Sequence, residues 1–257
     1  MNSRNAGSRR LWRGLLRWLT IIAITVVVAG FITWAILNKP RPKGIPGPEA
    51  ERVANEMLTA VDASAWKETG AVRFTFRNHH HLWDRRRNYD QIESGKRKVL
   101  LRVREQTGRA WENGAEVNPE RTAGLVRDAY AQWVNDAFWL NPVVKIFDRG
   151  VTRSIVRDDS GTHLMIEYTS GGLTPGDAYL WTPVENGTPP TGWRIWAQRL
   201  PIGGLSATWE GWINLSTGAR VSTLHRIGPF TLEIKDVAGA RSLAELLSGA
   251  ADPFASL

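Results

Sequence analysis

The chain has 257 residues, a net charge of +8 and no cysteine. Without thiols it offers no disulfide, no thiolate chemistry and no acylated lipoprotein cysteine. Five arginines (Arg4, Arg9, Arg10, Arg13 and Arg17) precede the first acidic residue and leave only +3 for residues 38–257. The excess is thus confined to one end and gives no support to nucleic-acid binding.

Those arginines flank an apolar run. Trp18–Leu37, WLTIIAITVVVAGFITWAIL, carries no charge over 20 residues, enough for a helix to cross a hydrocarbon core of about 30 Å. Lys39, Arg41 and Lys43 follow it. Five cations before the span against three after it predict a cytoplasmic basic tail over residues 1–17 and a periplasmic main domain. Trp18 and Trp34 sit near the ends, where amphipathic rings favour the headgroup zone. A cleaved signal peptide has a shorter apolar core, about 7–15 residues, and a small-x-small site that AILNKP lacks. The sequence therefore predicts a retained single-pass anchor.

Residues 38–48, NKPRPKGIPGP, read as a Pro/Gly linker, a short semi-stiff spacer that holds the domain off the bilayer. Residues 49–64 follow as a helix, with Val53, Met57, Leu58 and Val61 on one stripe. From Val72 the period becomes two: VRFTFRNHHHLWD sets Val72, Phe74 and Phe76 opposite Arg73, Thr75 and Arg77. ESGK turns this strand into RKVLLRVRE, and the Asn-Gly of WENGAEV marks a tight hairpin.

Asn118, Pro119 and Glu120 form a helix start, as N-cap, first-turn proline and acidic first-turn residue. The helix has a row Leu125, Ala129, Trp133, Ala137 and ends at Asn141-Pro142. Short strands with turns at DSG, ENGTPPTG and STG fill the rest, an antiparallel meander. Residues 239–257 read as a weak helix or loose tail. The fold class is α+β, with residues 49–238 forming one large curved antiparallel sheet, part-way to a barrel, and helices on one face.

The candidate chemistry is sparse. His79 and His81 alternate with His80 and share a strand face, and such a pair binds zinc when a third ligand converges. His163, His225 and Asp84 are the obvious third ligands, and nothing in their spacing brings them near. The competing reading is a polar strand end, and the sequence predicts no metal. Arg85, Arg86 and Arg87, with Lys96, Arg97 and Lys98 across a hairpin, place six cations near one loop, for anionic headgroups or an acidic partner. A solvated hairpin is the plainer reading. The sequence counts 13 tryptophans, which suit either a heavy core or the wall of an apolar pocket. No nucleophile elbow, phosphate loop, dinucleotide fingerprint or zinc-protease helix appears, and Asp84, Asp90 and Glu93 have no spacing that pairs them as acid and base. The sequence predicts neither an enzyme nor a cofactor.

AYAQWVNDAFWLNPVVKIFDRGV (129–151), GGLTPGDAYLWTP (171–183) and FRNHHHLWDRRRNY (76–89) resemble segments of a largely uncharacterised group of bacterial envelope proteins. That group is similar in layout to the LolA-like superfamily of periplasmic lipoprotein and lipid carriers. The resemblance implies that the anchor's membrane is a bacterial inner one. It also implies a half-barrel whose cavity takes lipid or lipoprotein acyl chains, and it brings no catalytic motif. Its wall would be drawn from Phe74, Phe76, Trp83, Trp133, Trp139, Trp181, Trp196 and Trp209. An anchored chain cannot shuttle like the soluble carriers, so a fixed acceptor or presenter is the first expectation. An accessory or scaffold subunit of an inner-membrane complex, with no small-molecule ligand, is the alternative.

Overall fold

Uninterrupted apolar sequence gives the first element of the computed structural model, helix α1 (Arg4–Leu37). Its Arg17–Leu37 part, 21 residues with a mean hydropathy of 2.4, is long and apolar enough to cross a membrane. The structure describes residues 4–171, 173–182 and 187–257, with side chains from Arg17 onward. Part of the expected ENGTPPTG turn, Gly172 of GGLTPG and the side chains of the first four arginines lie outside the described residues.

The stretch after α1 is not a free spacer. Lys39 N donates to Gly203 O at 2.9 Å, and Trp196 Nε1 donates to Lys39 O at 2.8 Å. Arg41 pairs with Glu167 at 3.1 Å, and Ile45 exchanges backbone hydrogen bonds of 2.8 and 2.9 Å with Ile155. Residues 38–45 are thus strapped along the domain. Gly44 permits the close approach, since a Cβ there would lie 2.0 Å from Ser154 Oγ.

The helix expected over 49–64 is two helices, α2 (Pro48–Ala60) and α3 (Ala63–Glu68). Asp62 breaks them. It adopts a left-handed backbone (φ 49°) and its carboxylate caps α3 by accepting from Ala65 N at 3.0 Å.

The next strands are shorter than the sequence suggests. VRFTFRNHHHLWD is not one strand but a hairpin, β1 (Ala71–Phe76) and β2 (His79–Asp84), turned at Arg77, which has φ 55°. Strands β3 (Tyr89–Ser94), β4 (Arg97–Arg102), β5 (Thr107–Glu112) and β6 (Ala115–Glu116) continue the meander. Helix α4 (Pro119–Leu140) starts as expected: the Asn118 side chain accepts from Arg121 N at 2.8 Å, with Pro119 in the first turn.

After a 3-10 turn at Pro142–Lys145 come β7 (Val151–Asp158), β8 (Gly161–Tyr168), β9 (Ala178–Trp181), β10 (Gly192–Trp196) and β11 (Leu205–Thr208). The short strands β12 (Ile213–Asn214) and β13 (Arg220–Val221) pair with each other. Strands β14 (Leu224–Ile227) and β15 (Phe230–Ala240) and helix α5 (Leu243–Leu247) complete the chain.

Among the described residues the strands form an eight-stranded antiparallel sheet, β14-β15-β1-β2-β3-β4-β5-β6, and a five-stranded sheet, β11-β10-β9-β8-β7. They are separate sheets rather than the single one expected. They meet edge to edge at a bridge between Glu210 and Leu224. Glycine at 211, with φ 61°, lets the chain leave the sheet there and cuts the expected strand LSATWEGWINL in two.

Helices cover both faces of the larger sheet, not one. Leu125, Val126 and Ala129 of α4 pack on Ile92, Val99 and Leu101. Leu100, which alternates with Val99 and Leu101, packs on the opposite face with Leu243 of α5 and Phe254. Of the weak helix or loose tail expected over 239–257, the chain thus forms the short helix and ties it down, and the last strand runs two residues past 238. Helix α2 packs Val53, Ala54 and Met57 on the five-stranded sheet. The strap lies on that sheet's other face: Ser154, Glu167 and Trp196 alternate with the inward residues Ile155, Ile166 and Ile195.

Candidate functional site

The underside of α4 is where polar and aromatic groups converge. Residues Ala129, Trp133, Asp136 and Leu140, spaced by three and four, share one side of the helix. Ala129, Asp136 and Leu140 are buried there. On the facing sheet, β1 and β2 pair Phe74 with His81, Phe76 with His79 and Val72 with Trp83, so these six side chains point the same way. Strand β3 adds Asp90, opposite Trp83.

The polar centre is compact. His79 Nδ1 lies 2.7 Å from Asp136 Oδ2, and His81 Nε2 lies 3.0 Å from the same oxygen. The other nitrogen of His81, Nδ1, is 2.8 Å from Asp90 Oδ2. Asn135 Nδ2 donates to Asp136 Oδ1 at 2.8 Å. His81 stacks on Phe74 at 4.5 Å with 7° between the planes. His81, Asp90 and Asp136 are each 2% exposed or less.

Burial alone disfavours an imidazolium at His81, but Asp90 and Asp136 outweigh it and raise the group to about 9. Burial also pushes the Asp90 carboxyl up, with His81 acting against it. Without another cation, His81 is thus a buried imidazolium bridging two acids. His79, His81 and Asp136 also place three ligand atoms within 4.8 Å of one another, the geometry of a group that can hold a metal ion.

The sharing of a face by His79 and His81 was readable from their alternation. Their acidic partners were not among the third ligands considered. His163 Nε2 instead lies 3.0 Å from Asp158 Oδ1 near the β7–β8 turn. Asp84 accepts from the backbone N–H groups of Arg86 and Arg87 at 3.0 and 3.1 Å. His225 lies among tryptophans, 4.3 Å from the Trp209 ring and 5.2 Å from Trp139. Burial there depresses it to about 4. The signal for Asp136 was present: a carboxylate interrupting the apolar side of α4 between Trp133 and Leu140. Asp90, alternating with Ile92 on a strand, was another.

Around this centre runs an aromatic layer. Trp83 meets Trp133 edge-on at 5.3 Å. Farther along α4, Trp139 stacks over Trp209 at 6.2 Å and meets Trp193 at 5.4 Å. Trp181 packs on Trp193 at 4.6 Å and on Trp209 at 5.2 Å. Phe74 and Phe76 lie beneath, in the core of the larger sheet. Trp193, absent from the sequence-based wall, lies within 5.4 Å of Trp139, Trp181 and Trp209. Trp196 does not belong to the layer: it faces the strap on the other side of its strand. Trp212 adjoins Trp209 at 6.1 Å, and Trp83, Trp133, Trp193, Trp209 and Trp212 each bury an indole N–H that has no hydrogen-bond acceptor among the described residues.

An open groove lies elsewhere. A space of about 590 Å³ lies on the outer face of β1 and β2, lined by polar groups that include Arg73, Thr75, His80, Glu93 and Asp236 and by apolar ones that include Leu82, Val237 and Leu247.

The six cations expected near one loop are divided between two. Arg85, Arg86 and Arg87 follow β2, whereas Lys96, Arg97 and Lys98 follow β3, which runs back over six residues. That separates them by about 20 Å. Arg85 donates to the carbonyls of Trp66 and Thr69 and lies 4.1 Å over the Trp66 ring. Arg86 donates to Arg241 O at 2.9 Å, and Arg87 binds Asp84 and Asp252. Arg97 pairs with Glu112 at 3.2 Å, and Lys98 lies 5.6 Å from the Trp111 ring. Lys96 is exposed at its turn.

No protein-family model matches this chain, and no curated protein matches it.

Proposed function

We propose that this chain is a single-pass inner-membrane protein whose periplasmic domain binds a lipid or the acyl chains of a lipoprotein. The basic flank before α1 supports a cytoplasmic N-terminus. The LolA-like resemblance supports a half-barrel reading of the two joined sheets, with α4 as the cover.

The observation that carries the reading is the aromatic layer with five buried indole N–H groups that have no acceptor among the described residues. Each such donor costs about 1–3 kcal/mol when its hydrogen bond is unmade. An amphiphile supplies what the layer lacks: ester or amide oxygens for the N–H groups and an acyl chain against the rings. The strapped linker fits a fixed acceptor at the bilayer rather than a diffusing carrier.

A second reading, an accessory subunit without a small ligand, draws on the close packing of Phe74, Phe76, Trp181 and Trp209, all 2% exposed or less. Trp133→Ala separates the two. On the lipid reading, co-purified lipid falls sharply while stability falls by less than the roughly 3–5 kcal/mol of a core tryptophan. A full core-sized loss with unchanged lipid content favours the accessory subunit.

A further inference from the structure

We infer that His79, His81 and Asp136 form a binding site for one divalent transition-metal ion, with zinc(II) as the best match to the donors. The inference is independent of lipid binding. Two imidazole nitrogens and one carboxylate oxygen, with no sulfur, are a donor set that suits zinc and leaves a fourth position for water. The three ligand atoms already converge, with His79 Nδ1 and His81 Nε2 at 2.7 and 3.0 Å from Asp136 Oδ2. A tetrahedral site with bonds of about 2.0–2.1 Å spaces its donors by roughly 3.3 Å. The two N···O distances would open by about 0.6 and 0.3 Å to reach that spacing, and the two histidine nitrogens already lie within 4.8 Å of each other.

The groups behind the ligands fit this assignment in detail. Asp90 Oδ2, 2.8 Å from His81 Nδ1, is placed to keep a proton on that nitrogen when a metal ion replaces the one on Nε2. Asn135 occupies Asp136 Oδ1 at 2.8 Å and leaves Oδ2 facing the histidines. Phe74 fixes the plane of the His81 ring. The pair Asp90 and Asp136 also buries two carboxylates whose charge a divalent ion balances. The way in is at His79, whose side chain keeps 19% of its surface exposed while that of His81 keeps none.

The test uses tag-free, full-length protein in detergent, stripped with a chelator and titrated with cobalt(II) alone and zinc(II) alone. One equivalent of cobalt should bind with tetrahedral d–d absorption, and zinc should displace it. His79→Asn, at the accessible edge, should weaken binding by at least about 100-fold. Asp90→Asn, which removes only the partner behind His81, should weaken it by about 10–100-fold. Circular dichroism establishes that each variant is folded. Folded wild-type protein that takes up no stoichiometric cobalt or zinc would show the cluster to be a hydrogen-bond network only. That titration decides the matter even if a variant misfolds. Unchanged affinity in folded His79→Asn would place any bound metal elsewhere and overturn the assignment equally.

Discussion

Trp34, near the end of the apolar helix, donates its indole N–H to the carbonyl of Pro201 at 2.7 Å. This contact joins the helix to the β10–β11 connection across 167 residues of sequence. With the strap of residues 38–45 it gives the domain a fixed seat beside that helix. Ser154→Leu should loosen that seat, because Gly44 already sits against Ser154 with no room for a Cβ. Lys39 and Arg41 precede prolines, so Lys43–Gly44 is the bond trypsin can cut. Overpacking costs about 1–3 kcal/mol, and cleavage at that bond should rise about tenfold or more through local opening. Equal cleavage rates would mean that the strap is not closed in solution.

Arg85 is part of the core's edge rather than a free surface cation. Burial lowers its guanidinium to about 10, and it serves two carbonyls and two indole rings. Arg85→Met should cost about 2–4 kcal/mol in urea unfolding. Arg97→Gln, which breaks one exposed pair, should cost less than about 1 kcal/mol. Equal, small losses, with reduced binding of anionic vesicles in both variants, would restore the single headgroup patch.

His225 sets an acid dependence. Its folded value, about 4, is below the ordinary 6.5. Above pH 6.5 neither state binds its proton, and no stability is at stake. Between 6.5 and about 4 the unfolded chain takes a proton that the fold refuses, so stability falls as pH falls, by up to about 3 kcal/mol. His225→Phe keeps the ring contacts and removes the titration. Its stability should therefore change less between pH 7 and 4.5 than the wild type's. Parallel pH profiles would contradict the assignment.

The orientation has its own check. Alkaline phosphatase fused after Leu257 should be active, and the mature chain should keep Met1 or Asn2 by intact mass. A stable but inactive fusion reverses the topology, and a product starting between Ala35 and Gly44 replaces the anchor with a cleaved signal.

What was legible in the sequence was local. The cap at Asn118-Pro119 and the apolar spacing behind it located α4, and alternation set His79 and His81 on one face. The β1–β2 turn was hidden because an arginine, not glycine, takes the left-handed position at 77. The division into two sheets depends on pairings such as Ala71 with Ala240, which no neighbouring residue announces. Asp136 meets His81 across 55 residues. Its helix position marked it as buried, and only the fold could supply the histidine opposite.

The central claim, a lipid ligand under α4, is tested most directly by native mass spectrometry of the full-length protein released gently from detergent, with the bound lipid identified by fragmentation. The reading predicts a discrete adduct of lipid or acylated-peptide mass at one per chain, retained when detergent is stripped and depleted in Trp133→Ala. A folded wild-type chain at its bare mass, with every adduct lost along with the detergent, would contradict it.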